Sequence, residues 1–217
     1  MIEPFSEERV RGFLHRPERP SGDAIALTHG AGSNCQAPLL IAVANGFADA
    51  GFTVLRFDLA FRQVRPSGPP RPGDAELDRE GIRAAAAALR RVASGRLFLG
   101  GHSYGGRQTS MLAAADPTVA DGLLLLSYPL HPPGKPAQMR TAHFPQLSTP
   151  AVFVHGSRDP FGSLEEMRAA LALIPAPTSL LEIEGAGHDL KRAGTPESVV
   201  KHFLAFMFPR YNSVNQP

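Results

Sequence analysis

The chain has 217 residues, 43% of them apolar, which suits one domain able to bury a sizeable core. Lys and Arg number 22 against 20 Asp and Glu, and the resulting net charge of +2 is too small to drive capture of nucleic acid. One cysteine, Cys35, cannot make an internal disulfide. The opening "MIEPFSEERV" lacks an apolar signal core, and no apolar run approaches the roughly 18 residues of a membrane span, so a cytoplasmic protein without membrane or nucleic-acid partners is expected.

In chain order, short apolar runs alternate with helix-like runs, the pattern of an α/β protein with a mostly parallel sheet and helices on both faces. "VRGFLHRP" near residue 10 predicts an early edge strand, and "AIALTHG" a strand ending at His29. "PLLIAVANGFADAG" predicts a helix closed by Gly51, followed by the strand "FTVLRFD". The stretch 59–74, "LAFRQVRPSGPPRPGD", reads as a Pro/Gly/Arg-rich loop, and "AELDREGIRAAAAALRRVAS" as a long helix. Then come the strand "RLFLGGH", the helix "YGGRQTSMLAAA", the buried strand "DGLLLLSYP" and an irregular segment. "AVFVHGSRDP" predicts a strand and its exit loop, with Ser163 capping the next helix. "TSLLEIEGAGHD" is a last strand and loop, and "PESVVKHFLAFMF" a closing helix. The core is expected over about 10–208, with a flexible tail at 209–217.

Several strands end in loops rich in Gly, His, Ser or Asp. In an open parallel sheet those carboxyl-end loops share one edge, where ligands bind. The richest is "GGHSYGG", residues 100–106. As a phosphate loop it fails, because Arg107 and Gln108 stand where a Lys and a Ser/Thr would be needed. As Gly101-His102-Ser103-Tyr104-Gly105 it matches G-x-S-x-G between a strand and a helix, which marks Ser103 as a nucleophile.

A neutral serine needs a base, and the base an orienting acid, in the chain order Ser, Asp, His. Asp116 and Asp121 fall at the wrong edge of the sheet, whereas Asp159 directly follows a strand's carboxyl end. Of the histidines after it, His202 lies mid-helix and His188 in a Gly-rich loop, so His188 is the base; Asp189 reads as a local turn residue. The oxyanion hole falls to the backbone N–H of Tyr104 and one from "THGAGSN", Ala31 first and Gly32 second. His29 is expected to brace that loop, and Cys35 to be an ordinary thiol.

On "THGAGSN", "RFD", "GGHSYGGR", "YPLHPPGKP", "FVHGSRDPFG" and "GAGHDL", the chain resembles the α/β-hydrolases over residues 10–208. Within them it is similar to the small, lidless dienelactone-hydrolase-like group, in particular the short hydrolases related to testis-expressed protein 30 and the third subunit of the NSL chromatin complex. The resemblance implies the triad Ser103, Asp159 and His188 and no cap domain. It departs from true dienelactone hydrolases, whose nucleophile is cysteine.

A carboxylesterase acting on small or short-acyl esters is therefore expected. Acyl transfer or peptide cleavage by the same triad, and a catalytically idle interaction protein, are the alternatives. Leu130, His131 and Phe161 are expected to wall the acyl pocket. Arg62, Arg65 and Arg71 could attract a substrate carboxylate, but a solvated, Pro-stiffened surface loop is the preferred reading. No metal-ligand spacing and no cofactor motif occurs. The partner is a small-molecule ester, with monomer and homodimer both left open.

Overall fold

The computed structural model describes residues 1–209. Its frame is one eight-stranded sheet. A hairpin, β1 (Ile2–Glu7) and β2 (Val10–His15), leads to β3 (Ala24–Thr28), helix α1 (Pro38–Asp49) and β4 (Thr53–Phe57). A short helix α2 (Ala60–Val64) and the long α3 (Asp74–Arg90) precede β5 (Leu97–His102), α4 (Tyr104–Ala115) and β6 (Gly122–Leu126). The chain closes with β7 (Ala151–Gly156), α5 (Leu164–Leu171), β8 (Thr178–Ile183) and α6 (Thr195–Met207).

The strand order is β1-β2-β4-β3-β5-β6-β7-β8. The first hairpin pairs antiparallel, and every pairing from β4 to β8 is parallel. The α/β architecture is as the sequence implies, with two differences at one end. The outer strand is β1, which lies before the expected core, so β2 is not an edge. The stretch 59–74 is not all loop, because Ala60–Val64 is helical. The expected flexible tail at 209–217 lies, from residue 210 on, outside the described residues.

Each sheet face carries its own apolar layer. On one, Leu40, Val43, Ala44 and Phe47 of α1 follow the 3.6-residue period and meet α6, with Phe47 edge-on to Phe203 at 5.1 Å. On the other, Ile82, Ala85 and Leu89 of α3 pack with α4 and α5 over Leu99, Leu125 and Phe153. Gly51, at φ +94°, ends α1: its N–H donates to the Ala48 carbonyl and that of Phe52 to Phe47, each at 3.0 Å. This is the left-handed closure expected of that glycine. Ser163 caps α5 reciprocally with Glu166.

Two histidines, one buried and one half-buried, set the acid sensitivity of this frame. His15 is buried on β2, where its Nε2 accepts from Arg56 Nε at 2.8 Å. Burial, then the Arg56 charge, lowers its pKa from 6.5 to about 4. Burial and the Arg107 charge lower His143 likewise, to about 4. Below pH 6.5 the unfolded chain takes up protons that these folded histidines refuse, so stability falls as pH drops from about 6.5 towards 4. Going from pH 7 to pH 5 should cost on the order of 1–2 kcal/mol per histidine. Urea midpoints across that range should fall, and His15→Gln should flatten the dependence; an unaltered slope in His15→Gln would show that His15 does not titrate this way.

Candidate active site

Three carboxyl-end loops meet at one edge of the sheet. The first is the turn from β5 into α4. Ser103 sits there at φ 51° and ψ −118°, a strained conformation for a residue with a side chain. It is fixed by its N–H, which donates to the Leu126 carbonyl at 2.8 Å. The glycines around it answer a packing demand. A Cβ on Gly101 would lie 2.7 Å from the Gly106 nitrogen, one on Gly106 would lie 2.6 Å from the Gly101 oxygen, and one on Gly105 would run into the His29 carbonyl. Strand and helix cross too closely here for any side chain but hydrogen.

The second loop leaves β7. Asp159 is buried, and its Oδ1 accepts the Phe161 N–H at 2.9 Å. The third leaves β8 and presents His188. Its Nδ1 meets Asp159 Oδ2 at 2.8 Å and its Nε2 meets Ser103 Oγ at 2.8 Å. The three sequence-predicted residues thus form one continuous hydrogen-bonded chain. Such a chain can draw a proton from the serine as it attacks a carbonyl and return it to a leaving group.

Two rings pack against the imidazole. The Phe161 ring lies 4.2 Å from its centroid at 33°, and the His102 ring 5.1 Å away at 51°. His102 also donates from Nε2 to the His188 carbonyl at 2.8 Å, and burial keeps its own pKa below the ordinary value, so it stays neutral. Leu190, two residues on, is buried at φ 53° and pins the loop to the core. Asp189 accepts the Lys191 N–H at 3.2 Å, a local turn. His202 meets Ser179 Oγ at 2.7 Å, on α6 and away from the three loops.

Opposite His188 lies the loop after β3. A Cβ on Gly30 would come within 3.3 Å of the Ser103 Cβ, so this backbone touches the serine. Ala31 and Gly32 follow directly. His29 braces the turn as expected: its Nδ1 donates to the Gly30 carbonyl at 2.8 Å and its Nε2 accepts the Leu59 N–H at 3.1 Å. Asp58 accepts the Cys35 N–H at 2.7 Å. Cys35 itself is buried, and burial first, then Asp58, pushes its thiol up to about 12, an unreactive state.

The arginine-rich stretch requires a correction. Arg62 is neither solvated nor open to a substrate carboxylate. It is 7% exposed, and its guanidinium donates to the carbonyls of Ser33 (2.7 Å), Ala31 (3.0 Å), Gly68 (2.9 Å) and Arg65 (3.2 Å). Four of its N–H groups are thereby spent on backbone, two of them on the loop beside Ser103. Arg65 is paired with Asp74, and only Arg71 is fully exposed. Helix α2, which carries Arg62, is anchored by Asp78, wholly buried on α3. Asp78 accepts the Phe61 N–H at 3.0 Å and the Tyr104 hydroxyl at 2.8 Å, and burial raises its pKa.

The expected acyl-pocket residues are placed unequally. Phe161 lies on His188. Leu130 is wholly buried, filling the space beside Gly162. His131 is also buried, donating from Nδ1 to the Pro132 carbonyl at 2.8 Å, with Nε2 3.4 Å from Glu166. These two form the layer behind the wall rather than its surface. An apolar cavity of about 400 Å³ opens on the other side of Gly30 and His102, lined also by Pro38, Leu39 and Leu190. A larger recess of about 510 Å³ at the sheet's far edge, around His15 and Asp49, holds none of the site residues.

Fold and site together define an α/β-hydrolase. The family described as an alpha/beta hydrolase domain matches residues 21–208, and the chain belongs to it. Solved structures share the fold along nearly the full length. A dienelactone hydrolase from Anabaena variabilis is 18% identical at a TM-score of 0.75, covering 96% of this chain and 98% of its own. An alpha-beta serine hydrolase homologue from Coxiella burnetii is 17% identical, with a TM-score of 0.73 and coverages of 93% and 96%. A serine hydrolase without a lid from Xanthomonas campestris is 16% identical at 0.69, covering 100% and 96%. No cap domain is added here: between β6 and β7 the only helical piece is a single 3₁₀ turn, Phe144–Gln146. Among the described residues no helix is long and apolar enough to cross a membrane.

Proposed function

We propose that the chain is a carboxylesterase for small or short-acyl esters, working through an acyl-enzyme on Ser103. The observation that carries this reading is the unbroken Ser103–His188–Asp159 hydrogen-bond chain, 2.8 Å at each link. Ser103 Oγ attacks the ester carbonyl while His188 Nε2 takes its proton. Asp159 holds the ring so that Nδ1 keeps its hydrogen and Nε2 stays free to accept. The oxyanion is met by the amide of Tyr104 and one amide of the loop after β3, that of Ala31 first or else that of Gly32. Collapse expels the alcohol, which receives the proton from His188. Water, deprotonated by His188, then attacks the acyl-enzyme, and the acid leaves as Ser103 regains its proton.

The absence of a cap supports a shallow, open site. Long acyl chains gain affinity only where a large apolar groove covers them. A panel of 4-nitrophenyl esters of graded acyl length tests this. Turnover should be fastest for short chains and fall with length, whereas a clear preference beyond about ten carbons would contradict the lidless reading. The reading places the reaction without a metal or cofactor, on protein groups alone.

A further inference from the structure

The penultimate residue of β7 is a histidine that the reaction above does not use. His155 is wholly buried, and its Nε2 lies 2.8 Å from the Gly162 carbonyl. A carbonyl oxygen can only accept, so Nε2 is the nitrogen that carries the hydrogen. In the neutral imidazole Nδ1 is then a bare lone pair. That nitrogen is buried, has no hydrogen-bond partner among the described residues, and lies 3.9 Å from Asp159 Oδ2. Asp159 Oδ2 is the oxygen that His188 Nδ1 meets at 2.8 Å. The carboxylate thus stands between two imidazoles, and only one of them offers it a hydrogen.

The bond to Gly162 holds one end of the turn that carries the acid. At the other end, the Asp159 N–H donates to the Gly156 carbonyl at 3.1 Å and the Arg158 N–H to the Ala186 carbonyl at 2.9 Å. A Cβ on Gly156 would lie 2.4 Å from that same Ala186 oxygen, so the exit of β7 is pressed against the loop that presents His188. Within the turn, Asp159 Oδ1 accepts the Phe161 N–H at 2.9 Å, and the Phe161 ring lies 4.2 Å from that of His188. Past it, two groups fix the chain: the His131 N–H, which donates to the Phe161 carbonyl at 3.1 Å, and the His155 ring on Gly162. Of these two, His155 is the one that also borders the carboxylate. An imidazole in the opposite tautomer would aim an N–H at Oδ2 and draw on the lone pairs that His188 needs. The Gly162 bond prevents it, because the partner of one ring nitrogen sets the state of the other.

We propose that His155 is a positioning residue for Asp159. By bonding Gly162 it holds the 159–162 turn against His188, and it turns an acceptor rather than a donor toward Asp159 Oδ2, which leaves that oxygen to His188. The proposal rests on the Ser103–His188–Asp159 reading, and one of its readouts needs no ester.

His155→Leu, His155→Gln and His155→Asn are compared with the wild type on 4-nitrophenyl acetate, and the proton held between His188 and Asp159 is followed by NMR as a far-downfield resonance. A Gln amide nitrogen falls where the imidazole Nε2 does and can donate to Gly162, whereas an Asn amide is too short to reach it. His155→Leu and His155→Asn should each lower kcat about 10–100-fold with KM within about threefold, and the resonance should vanish, because the carboxylate loses its aim. His155→Gln should bring kcat back to within about fivefold of the wild type and keep the resonance. Should His155→Leu fail to fold, the Gln and Asn variants decide by themselves. Unaltered kcat with the resonance retained in folded His155→Leu or His155→Asn overturns the proposal. So does a His155→Gln variant as impaired as His155→Asn, or losses in which kcat and KM move together with the melting temperature while the resonance stays. A resonance lost in His155→Asn and kept in His155→Gln, in a protein that turns over no ester, supports the positioning role and sinks the esterase reading.

Discussion

Ser103→Ala and His188→Ala should each lower kcat by about 10⁴–10⁶, and the double variant should be little worse than either alone. The reason is that neither group acts without the other. The 2.8 Å contact between His188 Nε2 and Ser103 Oγ is useful only while the oxygen has a proton to lose and the ring can accept it. Asp159→Asn should cost somewhat less, since it leaves the ring in place but favours the wrong tautomer on Nδ1. Folding should survive, because Ser103 contributes little buried surface; circular dichroism checks this. His202→Ala and Cys35→Ala serve as controls. His202, on α6, bonds Ser179 of β8, and the Cys35 thiol is held protonated, so both variants should keep the chemical step within about tenfold, or roughly 1.4 kcal/mol. If the losses from Ser103→Ala and His188→Ala simply multiplied, the two would be acting separately and the chain of hydrogen bonds would carry no mechanism.

Arg62→Met should lower kcat by about 10²–10³ with little change in KM, the loss expected when one oxyanion donor is misplaced. Arg62 does not face the substrate. It holds the carbonyls of Ala31 and Ser33 on one side and those of Arg65 and Gly68 on the other. With the Ala31 carbonyl tied down, the peptide planes beside Gly30 cannot turn freely, which would hold the aim of the amides proposed as oxyanion donors. Freed of Arg62, they lose it. A purely structural role predicts something different, namely a lower melting temperature with KM and kcat altered together. The distinguishing readout is affinity for a boronic-acid analogue of the tetrahedral intermediate. It should weaken in proportion to kcat while the affinity for the carboxylic-acid product stays put. Equal weakening of both would remove Arg62 from the account as a positioning residue.

What the sequence could disclose follows from how local each feature is. Ser103, Asp159 and His188 were legible because each lies in the loop leaving a strand's carboxyl end, and because such ends in a parallel sheet share an edge. The helix stops at Gly51 and the cap at Ser163 were legible for the same local reason. Arg62 was not: nothing in "LAFRQVRP" says that its guanidinium reaches back to residues 31 and 33, a pairing made only when β3 and β4 lie side by side. Leu130 and His131 were placed on the pocket surface from their position after a strand, but the turn there buries both. Asp78 did leave a trace. It falls in register with Ile82, Ala85 and Leu89 on the buried stripe of α3, and a carboxylate at such a position needs internal partners, here Phe61 and Tyr104. His102 left none, because its bond to the His188 carbonyl joins residues 86 positions apart.

The central claim is that Ser103 is an activated nucleophile, and labelling with a fluorophosphonate tests it most directly. Only a serine whose proton can be taken by a neighbouring base reacts readily with such a probe. Intact-mass and peptide analysis should find one adduct per chain, on Ser103, formed within minutes at micromolar probe, abolished in Ser103→Ala and strongly slowed in His188→Ala. A folded protein that stays unlabelled, or that is labelled as well without Ser103 as with it, would contradict the account.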